Sequence, residues 1–188
     1  MGIRRALYAR APILIGVHPT SIDRSSTSRA GAERAVLSGA LADILAASGV
    51  LLGLDVATAG QALSGIARFV ASRHGLSEAA VRAGLAEREH IGSTGLGCGV
   101  AIPHARIKGL LRPIAAYVRT ALPVPFDAPD GKPVTDMLVL LVPWESTEEH
   151  LVMLAEAAAM FSDTAFREEL RSCADRDSVY ALLVRRRA

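Results

Sequence analysis

Aromatic side chains make up only 4 % of the 188 residues. That scarcity argues against a surface that binds single-stranded nucleic acid by stacking bases on rings. Charge of one sign is lacking too. The formal net charge is +2, too small for the basic footprint of a nucleic-acid binder. Cysteine is nearly absent: Cys98 and Cys173 stand far apart with no C-x-x-C. A disulfide framework and a zinc site are therefore not indicated, and a reducing cytoplasm is the expected setting. No apolar run reaches the ~20 residues of a membrane helix, so no membrane insertion is expected. The run Ala11–Val17 follows early arginines, but it is short, holds Pro12 and precedes no A-x-A site, unlike a secretory leader. Gly2 does not read as an acylation site either, because position 6 is Ala.

Several catalytic motifs are also missing. Gly95, Gly97 and Gly99 are spaced G-x-G-x-G, with Val100 following, so the dinucleotide fingerprint fails on spacing. There is no G-x-x-x-x-G-K-[ST] and no G-x-S-x-G. His90, His104 and His150 lack the local H-x-x-x-H or H-E-x-x-H spacing of a metal site. No metal and no organic cofactor is expected.

What remains is rich in aliphatic residues, with 51 % hydrophobic side chains. Such a chain can build one full core. Residues 1–31 differ: five arginines face a single acid, Asp23, beside Ser21 and Ser25–Ser28. We expect a flexible basic extension over residues 1–40 and a folded domain over 41–188. Helix periodicity runs from Glu33 to Ala47, ended by Ser48-Gly49, and a short strand follows at Val50–Leu54. Thr58 and Gln61 form a capping-box pattern for a helix to about Arg73. Ser77 caps another helix, ending near Arg88-Glu89.

A strand at Val100–Ile102 should stop at the turn Pro103-His104. Ile114–Leu122 is strand-like, residues 123–134 read as loop, and the apolar run Asp136–Val142 reads as a central strand buried on both faces. Thr147, Ser162-Asp163 and Asp177 open three closing helices. The alternation of strands and helices implies an α/β domain. Its sheet should be mixed, mostly parallel, with helices on both faces.

The candidate chemistry gathers in Gly92–Arg106, GSTGLGCGVAIPHAR. His104 stands at a strand end beside a glycine loop. Its neutral ring can attack phosphorus at physiological pH. His150 falls at position N3 if Thr147 is the N-cap, where a helix's positive end welcomes an anion. Arg88 offers a fork of donors for phosphoryl oxygens. Ser93 and Thr94 add hydroxyls. Gly95, Gly97 and Gly99 offer close backbone N–H groups.

These residues also carry a resemblance. Glu89, Leu96-Gly97 and Val100-Ala101-Ile102-Pro103-His104-Ala105 meet the fixed positions of a known signature. It belongs to the mannitol/fructose-type IIA domains of the phosphoenolpyruvate-dependent sugar phosphotransferase system. ARIKGLLRPI, PFDAPDGKPV and LLVP with T-x-x-HL are similar to the nitrogen-regulatory branch, enzyme IIA-Ntr. The resemblance spans about residues 45–187. It implies the mannitol-type IIA fold, with His104 as the phosphorylated residue, His150 as the second active-site histidine and Arg88 as the phosphate-site arginine. It implies an HPr-like phosphocarrier as donor. It also implies regulation through the phosphorylation state, with transporters or sensor kinases as targets. A IIA component serving a sugar-specific IIB permease and a non-catalytic interaction module are the alternatives. Cys98 departs from the pattern, which has Asn or His there.

Overall fold

The computed structural model describes residues 40–146 and 149–185. The expected basic extension, up to residue 39, and the expected helix cap at Thr147 lie outside the described residues.

Helix α1 (Ala40–Ile44) leads directly into strand β1 (Leu45–Leu54). The helix expected to run to Ala47 therefore stops three residues short. Leu41, Ile44 and Leu45 sit at helical spacing, but Leu45 pairs with Ala115 of the neighbouring strand and is buried. A short apolar run satisfies either period, and strand pairing decides here. Gly49 marks a bulge in β1. A Cβ there would come within 3.0 Å of the Ala46 carbonyl and 3.2 Å of the Ala115 carbonyl.

Helix α2 (Ala59–His74) starts where expected. Thr58 Oγ1 accepts from the Gln61 N–H at 3.2 Å, and Gln61 Oε1 accepts from the Ala57 N–H at 2.9 Å. Gly75, at φ +66°, ends it in the left-handed conformation. Ser77 caps α3 (Glu78–Ile91) through the Ala80 N–H.

Three short strands follow: β2 (Gly95–Gly97), β3 (Val100–Ala101) and β4 (His104–Ile107). Then come the long strands β5 (Ile114–Val124) and β6 (Val134–Pro143). Helices α4 (Glu149–Ser162), α5 (Thr164–Ser172) and α6 (Arg176–Arg185) close the domain.

The sheet runs β1-β5-β6-β3-β2, with β4 also on β6. The β1–β5, β3–β6 and β4–β6 pairs are parallel; β5–β6 and β2–β3 are antiparallel. The long strands alternate between two cores. Ala116, Val118, Met137, Val139 and Leu141 pack with α2 and α3. Tyr117, Leu138, Leu140 and Val142 pack with α4, α5 and α6. Both faces are covered, which is why Asp136–Val142 reads as a nearly continuous apolar run.

Strands β3 and β4 lie end to end along one edge of β6. Val100 pairs with Asp136, Ala101 with Met137, and His104 with Leu140, without a slip of register. The expected stop at Pro103 is therefore a single missing rung. Proline lacks an N–H, but its carbonyl still accepts from the Leu140 N–H at 3.0 Å. His104 is the first residue of the resumed strand rather than part of a turn.

Candidate active site

Register determines where the site's side chains go. Ala105 and Ile107 belong to the core under α2 and α3. Alternation then puts His104 and Arg106 on the opposite face, the face that carries α4. Arg88 arrives from the other direction. Val81 and Leu85 line the buried stripe of α3, and Arg88 continues that stripe one turn on. Gly84 lets the helix lie close on β4. A Cβ at Gly84 would stand 3.2 Å from both Ala105 Cβ and Ile107 Cδ1. This close approach brings Arg88, near the end of α3, within reach of the His104 ring.

The hydrogen bonds fix the state of the His104 ring. The Ile102 carbonyl is only an acceptor, and it lies 2.8 Å from His104 Nδ1. That nitrogen carries the proton. Arg88 Nε is only a donor, and it lies 2.9 Å from His104 Nε2. Nε2 therefore presents its lone pair. Burial pushes the imidazole pKa below its ordinary 6.5, the Ile102 hydrogen bond opposes this, and the charges of Arg88 and His150 add to the lowering. The ring is neutral at physiological pH, with Nε2 unprotonated. Arg88 is held in turn by its second donation, to the Gly92 carbonyl at 2.8 Å.

His150 is the second residue of α4, in its first turn. Arg106, which sequence reasoning missed, lies 3.3 Å from His150 Nε2. The signal available for it was its place two residues after His104, on the same face of a strand.

The hydroxyls and glycines are used differently from the expectation. Ser93 Oγ donates to the Phe126 carbonyl at 2.5 Å and accepts from the Gly95 N–H at 3.0 Å. Thr94 is buried, its hydroxyl donating to Glu89 at 2.5 Å and its N–H to the same carboxylate at 3.1 Å. Neither hydroxyl proton is left for a phosphoryl group. Gly95 sits where a Cβ would come within 2.8 Å of Ala128 Cβ. Gly97 and Gly99, at φ +88° and +80°, form the tip of the β2–β3 hairpin. That tip lies beside Asp136, four residues or roughly 13 Å along the strand from His104. The glycines shape a hairpin and do not cradle a group on His104.

The hairpin has its own anchor. The Cys98 N–H donates to Asp130 Oδ2 at 2.7 Å, and Arg171 donates to the Cys98 carbonyl. Arg171 also reaches Asp136, which is almost fully buried and accepts from Tyr117 Oη at 2.5 Å and Arg119 Nε at 2.9 Å. Arg119 further donates to the Leu170 and Cys173 carbonyls at the end of α5. Cys98 adopts φ +54° and is exposed, a conformation in which Asn is better tolerated.

Among the described residues no group of three His, Cys, Asp or Glu side chains stands close enough to hold a metal. No described helix is long and apolar enough to cross a membrane.

Known proteins are similar to this chain in sequence and fold. A "Nitrogen regulatory protein" of Pseudomonas aeruginosa is 47 % identical over 100 residues, covering 53 % of this chain and 65 % of that protein. One from Bradyrhizobium diazoefficiens is 34 % identical over 143 residues, 76 % of this chain and 94 % of its own length. The crystal structure of nitrogen regulatory protein IIA-Ntr from Neisseria meningitidis superposes with a TM-score of 0.73 at 40 % identity, covering 77 % of this chain and 99 % of that one. IIA mannitol from Escherichia coli shares the fold, with a TM-score of 0.63 at 21 % identity over 74 % of this chain and 98 % of that one. The family model described as "Phosphoenolpyruvate-dependent sugar phosphotransferase system, EIIA 2" matches residues 43–185, a span that takes in the sheet, helices α2 to α6 and the Arg88–His104 pair, and the chain belongs to that family.

Proposed function

We propose that this chain is a cytoplasmic phosphoryl carrier of a nitrogen-type phosphotransferase system, phosphorylated on His104 by an HPr-like phosphohistidine protein. The observation that carries the reading is the tautomer of His104: Nδ1–H bonded to Ile102 and a bare Nε2 in contact with Arg88. In the transfer, the Nε2 lone pair attacks phosphorus in line. The donor's N–P bond breaks, and the donor imidazole leaves with that electron pair. The ring of His104 gains positive charge as Nε2 bonds phosphorus, and the Ile102 carbonyl stabilises it through Nδ1–H. Arg88 moves its donation from Nε2 to the phosphoryl oxygens, where a fork of N–H groups matches them. His150 supplies a further donor. No residue is consumed, so the group can return or pass on.

The modification adds about −1.5 to −2 charges at one surface. That change suits a switch of partner binding, with regulated transporters or sensor kinases as its targets. The test is incubation with phosphoenolpyruvate, enzyme I and an HPr-type donor, read by intact mass. A single acid-labile phosphoryl adduct, absent in His104→Ala, is expected. An adduct that survives the His104→Ala change would overturn the assignment. Onward passage of the group to a sugar-specific IIB protein would replace the regulatory role with the permease role.

A further inference from the structure

We propose that Arg106 is a positioning residue: it holds His150 as the Nδ1–H tautomer and thereby presents a proton donor to the phosphoryl group on His104. The inference rests on the carrier reading above. A guanidinium has donors and no acceptor, so the 3.3 Å contact between Arg106 and His150 Nε2 makes Nε2 the acceptor. The single proton of the neutral ring is then on Nδ1. That nitrogen is buried and has no hydrogen-bond partner among the described residues. A solvated neutral histidine side chain prefers the opposite tautomer, with the proton on Nε2, so the arginine contact imposes a choice the ring would not make alone. A buried donor without an acceptor is costly to the free protein. A phosphoryl group on His104 Nε2 brings three acceptor oxygens to the face of β4 that carries α4, the helix whose first turn holds His150.

Strand geometry supports the pairing. Arg106 follows His104 by two residues on β4, so both side chains leave the same face of the strand. Arg106 is exposed, so its replacement should leave the fold intact. It makes no ion pair with an acid among the described residues.

The experiment records long-range 1H–15N spectra of the ring nitrogens in the unphosphorylated protein, with His150 assigned by loss of its signals in His150→Gln. The wild type is expected to show a protonated Nδ1 and a bare Nε2 at His150, and Arg106→Met to shift the ring toward Nε2–H. Phosphoryl transfer from the HPr-type donor should slow about tenfold in Arg106→Met, the scale of losing an orienting partner. Arg106→Gln keeps a neutral N–H donor and should restore both the tautomer and the rate. A wild-type ring protonated at Nε2 overturns the proposal, as does an unchanged tautomer in Arg106→Met. So does rescue by Arg106→Lys with no rescue by Arg106→Gln, which would assign Arg106 to charge alone. The tautomer is read without phosphate, so its failure is distinguishable from failure of the carrier reading.

Discussion

Arg88→Met removes one guanidinium and should produce two separable effects. In the free protein Arg88 donates to the neutral His104 ring at 2.9 Å and to the Gly92 carbonyl at 2.8 Å. During transfer the same donors face oxygens carrying nearly two negative charges. Hydrogen bonds to charged groups contribute ~1.5–3 kcal/mol against ~0.5–1.5 kcal/mol for neutral ones. The difference favouring the transition state is therefore about 1–2 kcal/mol. Each 1.36 kcal/mol is tenfold in rate, so transfer should slow by roughly 5- to 30-fold. Rapid-quench transfer of labelled phosphoryl from the donor measures this. Arg88→Lys keeps the charge but loses the fork and should fall between.

The second effect is on titration. Burial is the main cause of the low His104 pKa, and the Arg88 charge adds to it. Removing that charge should move the His104 pKa upward, toward 6.5, in an NMR titration of the ring. Wild-type transfer together with an unmoved His104 titration would refute the pairing of Arg88 with Nε2.

Other outcomes follow from the same geometry. Asp136→Ala removes the buried carboxylate that Arg119, Arg171 and the Tyr117 hydroxyl share, and should cost about 3–5 kcal/mol in urea unfolding. A loss under 1 kcal/mol would show the network to be dispensable. Cys98→Gly relieves a left-handed φ of +54° at an exposed hairpin tip and should raise stability by about 0.5–1 kcal/mol; a lowered Tm would count against strain there. Stability should also depend on pH through His104. Its folded pKa lies below the unfolded 6.5, so the unfolded chain binds more protons as pH falls. Its contribution is fully present above pH 6.5 and is lost as pH drops from there through the folded pKa. Unfolding curves at about pH 7.5 and 5.5 should differ less in His104→Gln than in the wild type.

Much of the fold was readable because its signals are periodic or strongly local. Asp136–Val142 reads as a doubly buried strand because alternate residues feed two different cores. Thr58, Ser77 and Asp163 mark helix starts through side-chain oxygens that accept backbone N–H groups. The join of α1 to β1 was not readable, because Leu45 satisfies both periods and only its pairing with Ala115 decides. Pro103 read as a stop because a missing N–H is visible in sequence, whereas the Leu140 N–H that keeps the ladder going comes from 37 positions away. In the site, His104, Arg88 and His150 stood out by residue type and context. The glycines misled because tight turns and anion cradles draw on the same conformational freedom. The antiparallel pairing of β2 with β3, pinned at Cys98 by Asp130 and Arg171 from far along the sequence, shows that these glycines build a hairpin. Arg106 was missed for a related reason: its significance depends on a strand at His104–Ile107 that proline appeared to forbid.

Intact mass of the protein after reaction with phosphoenolpyruvate, enzyme I and an HPr-type donor tests the central claim most directly. One acid-labile phosphoryl group on the wild type and none on His104→Ala is the predicted result. An unmodified wild type under conditions that phosphorylate the donor, or a modified His104→Ala, would contradict it.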